Sequence, residues 1–310
     1  MKRKIARLAC MLFFGAATPW AQAAGSAPSP VDAVCARVIT MMNSGRPGLH
    51  AEYLLITAAA RNPAFLPELR SEAEAGHPDA EFLLGLQYSL GWGGVPRDPA
   101  RGITWYRKAA EQGLAIAQDE MGANYRFGFV LPPSSSRALS WFRRAAAQGD
   151  ASGQESLGVM LELGDGVSRD YAQAASWFRK AAGQGDAAAQ VRLGRLYESG
   201  HGVPQDDAQA FSWFHKAAAQ GDVEAQNWLG YAYQHGRGVP TDDVQAASWF
   251  RKAAGQGSAY AQDSLGLLYF HGWGVPQDPA RAEHWFELAA AQGDRFAVRK
   301  LRLLRTGSAH

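Results

Sequence analysis

The chain has 310 residues, 47% hydrophobic and 19% charged, with 31 Lys+Arg against 29 Asp+Glu. That length suggests about two domains with a sizeable core, and so even a charge balance gives no electrostatic case for nucleic acid or an anionic membrane surface as partner.

The first thirty residues read as a secretory leader and its junction. Lys2, Arg3, Lys4 and Arg7 precede the apolar run Leu8–Ala17, and Ala21-Gln22-Ala23 is a small-residue cleavage site, so the spacing predicts a signal peptide over 1–23. The run is too short to span a bilayer, which takes ~20 residues. Cys10 lies inside it and leaves with it. Loss of the four basic residues gives 27 against 29, a net charge of −2. Cys35 is then the only cysteine and has no internal disulfide partner. It is either buried as a small hydrophobe, which the apolar VDAVCARVITMM favours, or free for an intermolecular bond. Residues 24–30, AGSAPSP, form a flexible lead-in, and 31–76 are expected to make capping helices, AEYLLITAAA and FLPELRSEAEAG being the clearest.

From there the chain repeats itself, and the repeat overrides the two-domain expectation. Trp105, Trp141, Trp177, Trp213, Trp249 and Trp285 are spaced 36 residues apart. Each is followed by Tyr106, Phe142, Phe178, Phe214, Phe250 or Phe286. One period, 186–221, reads DAAAQVRLGRLYESGHGVPQDDAQAFSWFHKAAAQG and divides into two helices. In the second, Ala210, Trp213, Phe214, Ala217 and Ala218 form one apolar stripe. Asp206 caps its start, Gly221 ends it in a left-handed turn, and Asp222 caps the next helix. Asp98-Pro99 and Asp278-Pro279 repeat the start with proline at the first helical position.

The first helix carries Gly194 in its interior, and Gly85, Gly122, Gly158, Gly230 and Gly266 stand at the equivalent place. Glycine there costs ~1 kcal/mol against alanine, which predicts close helix approach with an aromatic ring over the missing side chain. Helices this short are marginal alone, but stacked hairpins bury each other, and the six tryptophans are expected to form the buried repeat core. The second repeat departs from the pattern: it lacks the second loop glycine, and Ser134–Ser136 replace the Asp cap. Leu161 stands where other repeats have Tyr. DRFAVRKLRLLR, within 294–310, is expected to close the stack as a capping helix and tail.

The motifs L-G-x-x-Y, A-x-x-W-F, G-x-G-V-P-x-D and A-A-x-x-G-D resemble the Sel-one-like repeat family, a relative of the tetratricopeptide repeats, over 77–293 as six repeats. The resemblance implies an all-α, right-handed α/α superhelical solenoid and a protein-binding role in a bacterial protein. It also implies that first helices line a concave groove. The candidate groove residues are Asp119, Arg126 and Phe127 in the second repeat and Val191, Arg195 and Glu198 in the fourth. The fifth gives Asn227, Tyr231, Gln234 and His235, and the sixth Tyr260, Asp263, Leu267, Phe270 and His271. Rigid aromatics beside hydrogen-bonding groups suit a protein or peptide partner. Trp228, one position off these columns, is expected between repeats. Trp92 and Trp273 share a loop position, either exposed as contacts or folded over the loop.

No catalytic residues are assigned, because G-x-S-x-G, H-E-x-x-H and the phosphate-loop pattern are all missing. His235 and His271 share a column without a third ligand, so no metal is expected, and no cofactor. The resulting expectation is a secreted or periplasmic, non-enzymatic scaffold binding a protein or peptide. Cell-wall enzymes, envelope regulators, secretion components and host proteins are the partner classes that the resemblance suggests. The alternatives are a cell-wall-active or β-lactam-hydrolysing enzyme and a sensory regulator of a membrane signalling protein. β-Lactam chemistry in the family goes with cysteine pairs in each repeat, which this chain does not have.

Overall fold

A computed structural model of the protein describes residues 66–306. The expected leader, the lead-in, Cys35, the capping segment up to residue 65 and the last four residues lie outside the described residues. Those described fold into fourteen α-helices and no strand. A nine-residue helix α1 (Leu66–Glu74) comes first. The first helices of the six repeats are α2 (Pro78–Leu90), α4 (Ala115–Phe127), α6 (Ala151–Leu163), α8 (Ala187–Ser199), α10 (Val223–His235) and α12 (Ala259–His271). The second helices are α3 (Pro99–Glu111), α5 (Ser135–Ala147), α7 (Tyr171–Gly183), α9 (Asp207–Ala219), α11 (Asp243–Gly255) and α13 (Pro279–Ala291). Helix α14 (Arg295–Thr306) follows. The chain divides into two compact units, one ending at Arg169 and one starting at Asp170. Within each, every helix packs on the next, so each unit is a stack of antiparallel helices of the solenoid class.

The helix starts are built as the spacing predicts. Asp98, Asp170, Asp206, Asp242 and Asp278 each accept the backbone N–H three residues on, at 2.8–3.0 Å. Asp98, Asp206, Asp242 and Asp278 are also fixed to the preceding helix where the amide of each donates to a tyrosine carbonyl, as from Asp206 to Tyr197 at 2.9 Å and Asp278 to Tyr269 at 2.9 Å. In the second repeat, Ser134 keeps that amide bond, to Tyr125 at 2.7 Å, but its hydroxyl turns to Ser136 instead of capping the helix. The departure seen in the sequence is thus confined to the side-chain cap.

The second loop glycine has two reasons to be glycine. Gly238 sits at φ +73°, and a methyl group on it would fall 2.2 Å from the Asp207 carbonyl oxygen of the preceding repeat; Gly274 stands likewise against Asp243. These loops rest directly on the backbone of the neighbouring hairpin, where no side chain fits.

The core corrects one expectation. Of the six tryptophans only Trp249 is buried, at 9% exposure; Trp105, Trp141, Trp177, Trp213 and Trp285 are half-buried. The fully buried rings are their neighbours Phe142, Phe178, Phe214, Phe250 and Phe286, with Tyr106 in the first repeat. One residue further along a helix is a rotation of ~100°, enough to move the ring from the flank into the seam. There it covers the first-helix glycine as expected: a methyl group on Gly230 would lie 2.5 Å from the Phe250 ring, and one on Gly266 2.6 Å from Phe286. The flanking indoles instead carry a cation from the next turn, Lys180 over Trp177 at 3.8 Å, Lys216 over Trp213 and Lys252 over Trp249 at 3.7 Å. Trp285 has Leu288 at that position, and Leu288 is exposed.

A buried amide ladder joins the repeats. Gln226, on α10, donates from Nε2 to the Ala218 carbonyl near the end of α9 at 3.4 Å. Its Oε1 accepts from Gln256, which follows α11, at 2.9 Å. Gln190 and Gln220, Gln262 and Gln292, and Gln118 and Gln148 repeat the arrangement. Such groups are costly when buried unpaired, and here both ends of these four first-helix glutamines are satisfied. The first repeat substitutes Glu81, only 3% exposed, which accepts from Gln112 at 2.7 Å. Burial pushes the Glu81 carboxyl above its ordinary range against the opposing pull of Lys108 and Gln112. A carboxylate has no proton to give where the glutamines donate to a carbonyl of the preceding hairpin. E81Q is therefore expected to raise stability at pH 7 by about 1 kcal/mol. The gain should shrink as pH falls through the raised pKa and Glu81 is protonated in the wild type. Urea unfolding at pH 4.5 and 7.5 checks it.

Candidate functional site: the first-helix faces

Within each unit, first helices of successive repeats touch directly, α4 with α6 and α10 with α12. Their outward side chains therefore form a continuous face. In the second unit that face brings together most of the residues the sequence singled out. Tyr260 is 48% exposed and sets its edge against Phe250, with ring centroids 6.0 Å apart. Burial of its hydroxyl region raises its pKa, and the nearby Tyr231 adds to this while Ser264 opposes it. Tyr231, Leu267 and Phe270 are partly buried, each with one side on the core, and Gln234 is likewise half-buried. His235 is exposed; it stacks on Tyr231 at 4.2 Å and bonds through Nδ1 with the Tyr231 carbonyl at 3.0 Å. His271 stacks on Trp273 at 4.2 Å and meets Phe270 edge-on. Each histidine thus has its own ring partner within its own repeat. Trp273 is 45% exposed, which settles its loop position as solvent-facing; Trp92 is half-buried.

Other candidates have internal duties. Val191 does not line the face: it is 6% exposed and packs in the cluster of Phe214, Leu229 and Trp249, which the half-buried Trp228 packs against. Trp228 in turn stacks on Phe214 at 4.3 Å, between repeats as expected. Asn227 accepts from the Ser258 hydroxyl at 3.1 Å. Asp263 holds Lys300 of α14 at 2.7 and 2.5 Å. Arg195 pairs with Glu224, and Glu198 is half-buried on the same helix as Arg195.

In the first unit, Arg126 of α4 pairs with Asp165 at 3.5 Å and lies over Phe127 at 5.0 Å. Phe127 is 58% exposed and stacks on Phe129, itself exposed, at 5.3 Å. Asp119 lies half-covered against Ser156, Asp150 and Glu155. A row now appears of which the sequence indicated only Phe127, His235 and His271. The last residues of the first helices, Leu90, Phe127 and Leu163, are all exposed, with Phe129 and Val130 beside them. In the second unit the same row holds Ser199, His235 and His271, also exposed. The 36-residue spacing ahead of the helix-ending glycines carried the signal. The amphipathic pattern hid it, because a leucine at a helix end reads as core.

These features (two 13-residue helices per period, a loop glycine seated on the neighbouring hairpin, a glycine under five of the buried rings) identify the repeat. A Sel1 repeat profile matches residues 78–114, 115–150, 151–186, 187–222, 223–258 and 259–294. The chain is a Sel1 repeat protein. Among solved structures it is similar to a protective antigen of uropathogenic Escherichia coli with an SLR fold, at 39% identity and a TM-score of 0.71; the match covers 76% of this chain and 50% of the antigen. The chain therefore spans about half the length of that relative. A Sel1 repeat protein from Oxalobacter formigenes matches at 31% identity and a TM-score of 0.67, over 79% of this chain and 97% of its own. No curated protein matches. The Sel1 repeat fold is a scaffold suited to protein–protein interaction, and the described residues of this member hold no group of three or more His, Cys, Asp or Glu side chains placed to bind a metal ion.

Proposed function

We propose that this Sel1 repeat protein is a non-enzymatic scaffold acting outside the cytoplasm, in the periplasm or beyond it, and that it holds a partner protein or peptide on its first-helix faces. The observation that carries the reading is the second unit's face. Tyr260, Trp273, His235 and His271 are exposed there, while Tyr231 and Phe270 are anchored on one side by the core. Rings fixed in this way lose little conformational entropy when a partner docks. The leader pattern of residues 1–23 supports export.

Replacing Tyr231, Phe270 and His271 together by alanine tests the reading. Helical content should persist, since none of the three is fully buried, and partner affinity should fall on the order of 100-fold, each aromatic truncation costing about 1–2 kcal/mol. The measurement is parallel capture from envelope extract on immobilised wild type and triple variant, followed by titration of any protein retained only by the wild type. Equal retention by both refutes the face.

A further inference from the structure

We propose that Asp119 in the second repeat is a binding position for a primary ammonium group, such as a lysine side chain on a bound protein segment. The argument starts from the same column in other repeats. Asp263 and Lys300 stand four 36-residue periods on from Asp119 and Ser156. At that later position the carboxylate is met by the Lys300 ammonium at 2.7 and 2.5 Å. One repeat earlier Asn227, a neutral amide, takes the hydroxyl of the helix-capping Ser258. In both places a donor from the following repeat satisfies the column.

Asp119 does not have the same supply. The Ser156 hydroxyl bonds one side of the carboxyl, but Oδ1 is buried and has no hydrogen-bond partner. The following cap is Asp150, already committed to the Gly153 amide at 2.7 Å, in place of a serine. The charged neighbours of Asp119 are all acidic: Asp150 ahead of α6, Glu120 beside it on α4, and Glu155 on α6; Ser156 is the one group that favours its ionised form. A buried anion without a counter-charge is strongly disfavoured. Burial first, then Asp150 and Glu120, push Asp119 up to about 8. Asp119 thus holds the same place in the period as Asp263, with Ser156 where Asp263 has Lys300. An incoming ammonium supplies the counter-charge: the carboxylic acid gives its proton to solvent, and the resulting carboxylate pairs with the cation.

This reading rests on the first-helix faces as the place where a partner segment lies, but its test does not use the second unit. The probe is Nα-acetyl-lysine methylamide added to the full chain. Carbon-detected titration of the Asp119 carboxyl should show a midpoint near 8 without probe and at least two pH units lower at saturation. Probe affinity should rise on the order of tenfold per pH unit below 8 and level off above it. D119N should abolish binding. S156K, which places an internal ammonium where Lys300 stands, should also block the probe while lowering the Asp119 midpoint. The alanine triple variant of the second unit should bind the probe normally, so this proposal and the face reading fail separately. A lysine-bearing peptide that binds wild type more tightly than D119N identifies a protein segment as the source of the amine, and one that binds both equally counts against that source. No probe binding at pH 8.5 and millimolar concentration, equal binding to D119N, or undiminished binding to S156K overturns the proposal.

Discussion

Phe250→Ala is expected to lower stability by about 3–5 kcal/mol, the range for emptying a buried aromatic site. Phe250 is fully buried between Gly230 on one side and Ala261 and Leu265 of the next repeat on the other. Trp213→Ala, although it removes a larger ring, is expected to cost only about 1–2 kcal/mol. Trp213 is half-buried, and its main partner is the Lys216 ammonium at 3.7 Å, a contact worth about 0.5–1 kcal/mol. Guanidinium unfolding of the two variants, read by far-UV circular dichroism, checks the order. A larger loss for Trp213 would return the tryptophans to the centre of the core.

D119N is expected to stabilise the protein at pH 7.5, by several kcal/mol at the upper bound, since each unit of pKa shift corresponds to about 1.4 kcal/mol. The sign follows from the direction of the shift. Asp119 titrates at about 8 in the fold and near 3.8 when unfolded. The folded state therefore binds the proton more tightly, and stability is fully present below pH 3.8 and lost as pH rises toward 8. Asparagine has no charge to bury, so the variant's stability should change less over that range. Thermal unfolding of both proteins between pH 4 and 8.5 should give curves that separate as pH increases. Parallel curves would mean that Asp119 is solvated.

Much of the stack was legible before any coordinates. The aspartate caps, the glycine–aromatic contacts and the helix-ending glycines all follow from local backbone chemistry, which a 36-residue period prints six times over. What the sequence misplaced depends on the neighbouring hairpin. Trp213 and Phe214 are adjacent and equally apolar; only the helix packed beside them decides which ring enters the seam. Val191 belonged to a column of polar and aromatic candidates, yet Phe214 of its own hairpin and Leu229 and Trp249 of the following one enclose it in the core. Lys300 and Asp263 lie 37 residues apart and read as two solvated charges until the stack brings them together. The glutamines were overlooked for a different reason. Their period is as strict as that of the tryptophans, but a polar residue on a helix is taken for surface unless its bonds are seen.

The amide ladder gives each junction a polarity. Gln190, Gln226 and Gln262 each give to the hairpin behind and receive from the second helix of their own hairpin, so each of these repeats carries its own half of the same junction. Excising or duplicating one whole period leaves a junction of the same chemistry, with no orphaned amide to repair. A gene of this kind can lengthen or shorten by unequal recombination, and a longer Escherichia coli relative is what such freedom would produce.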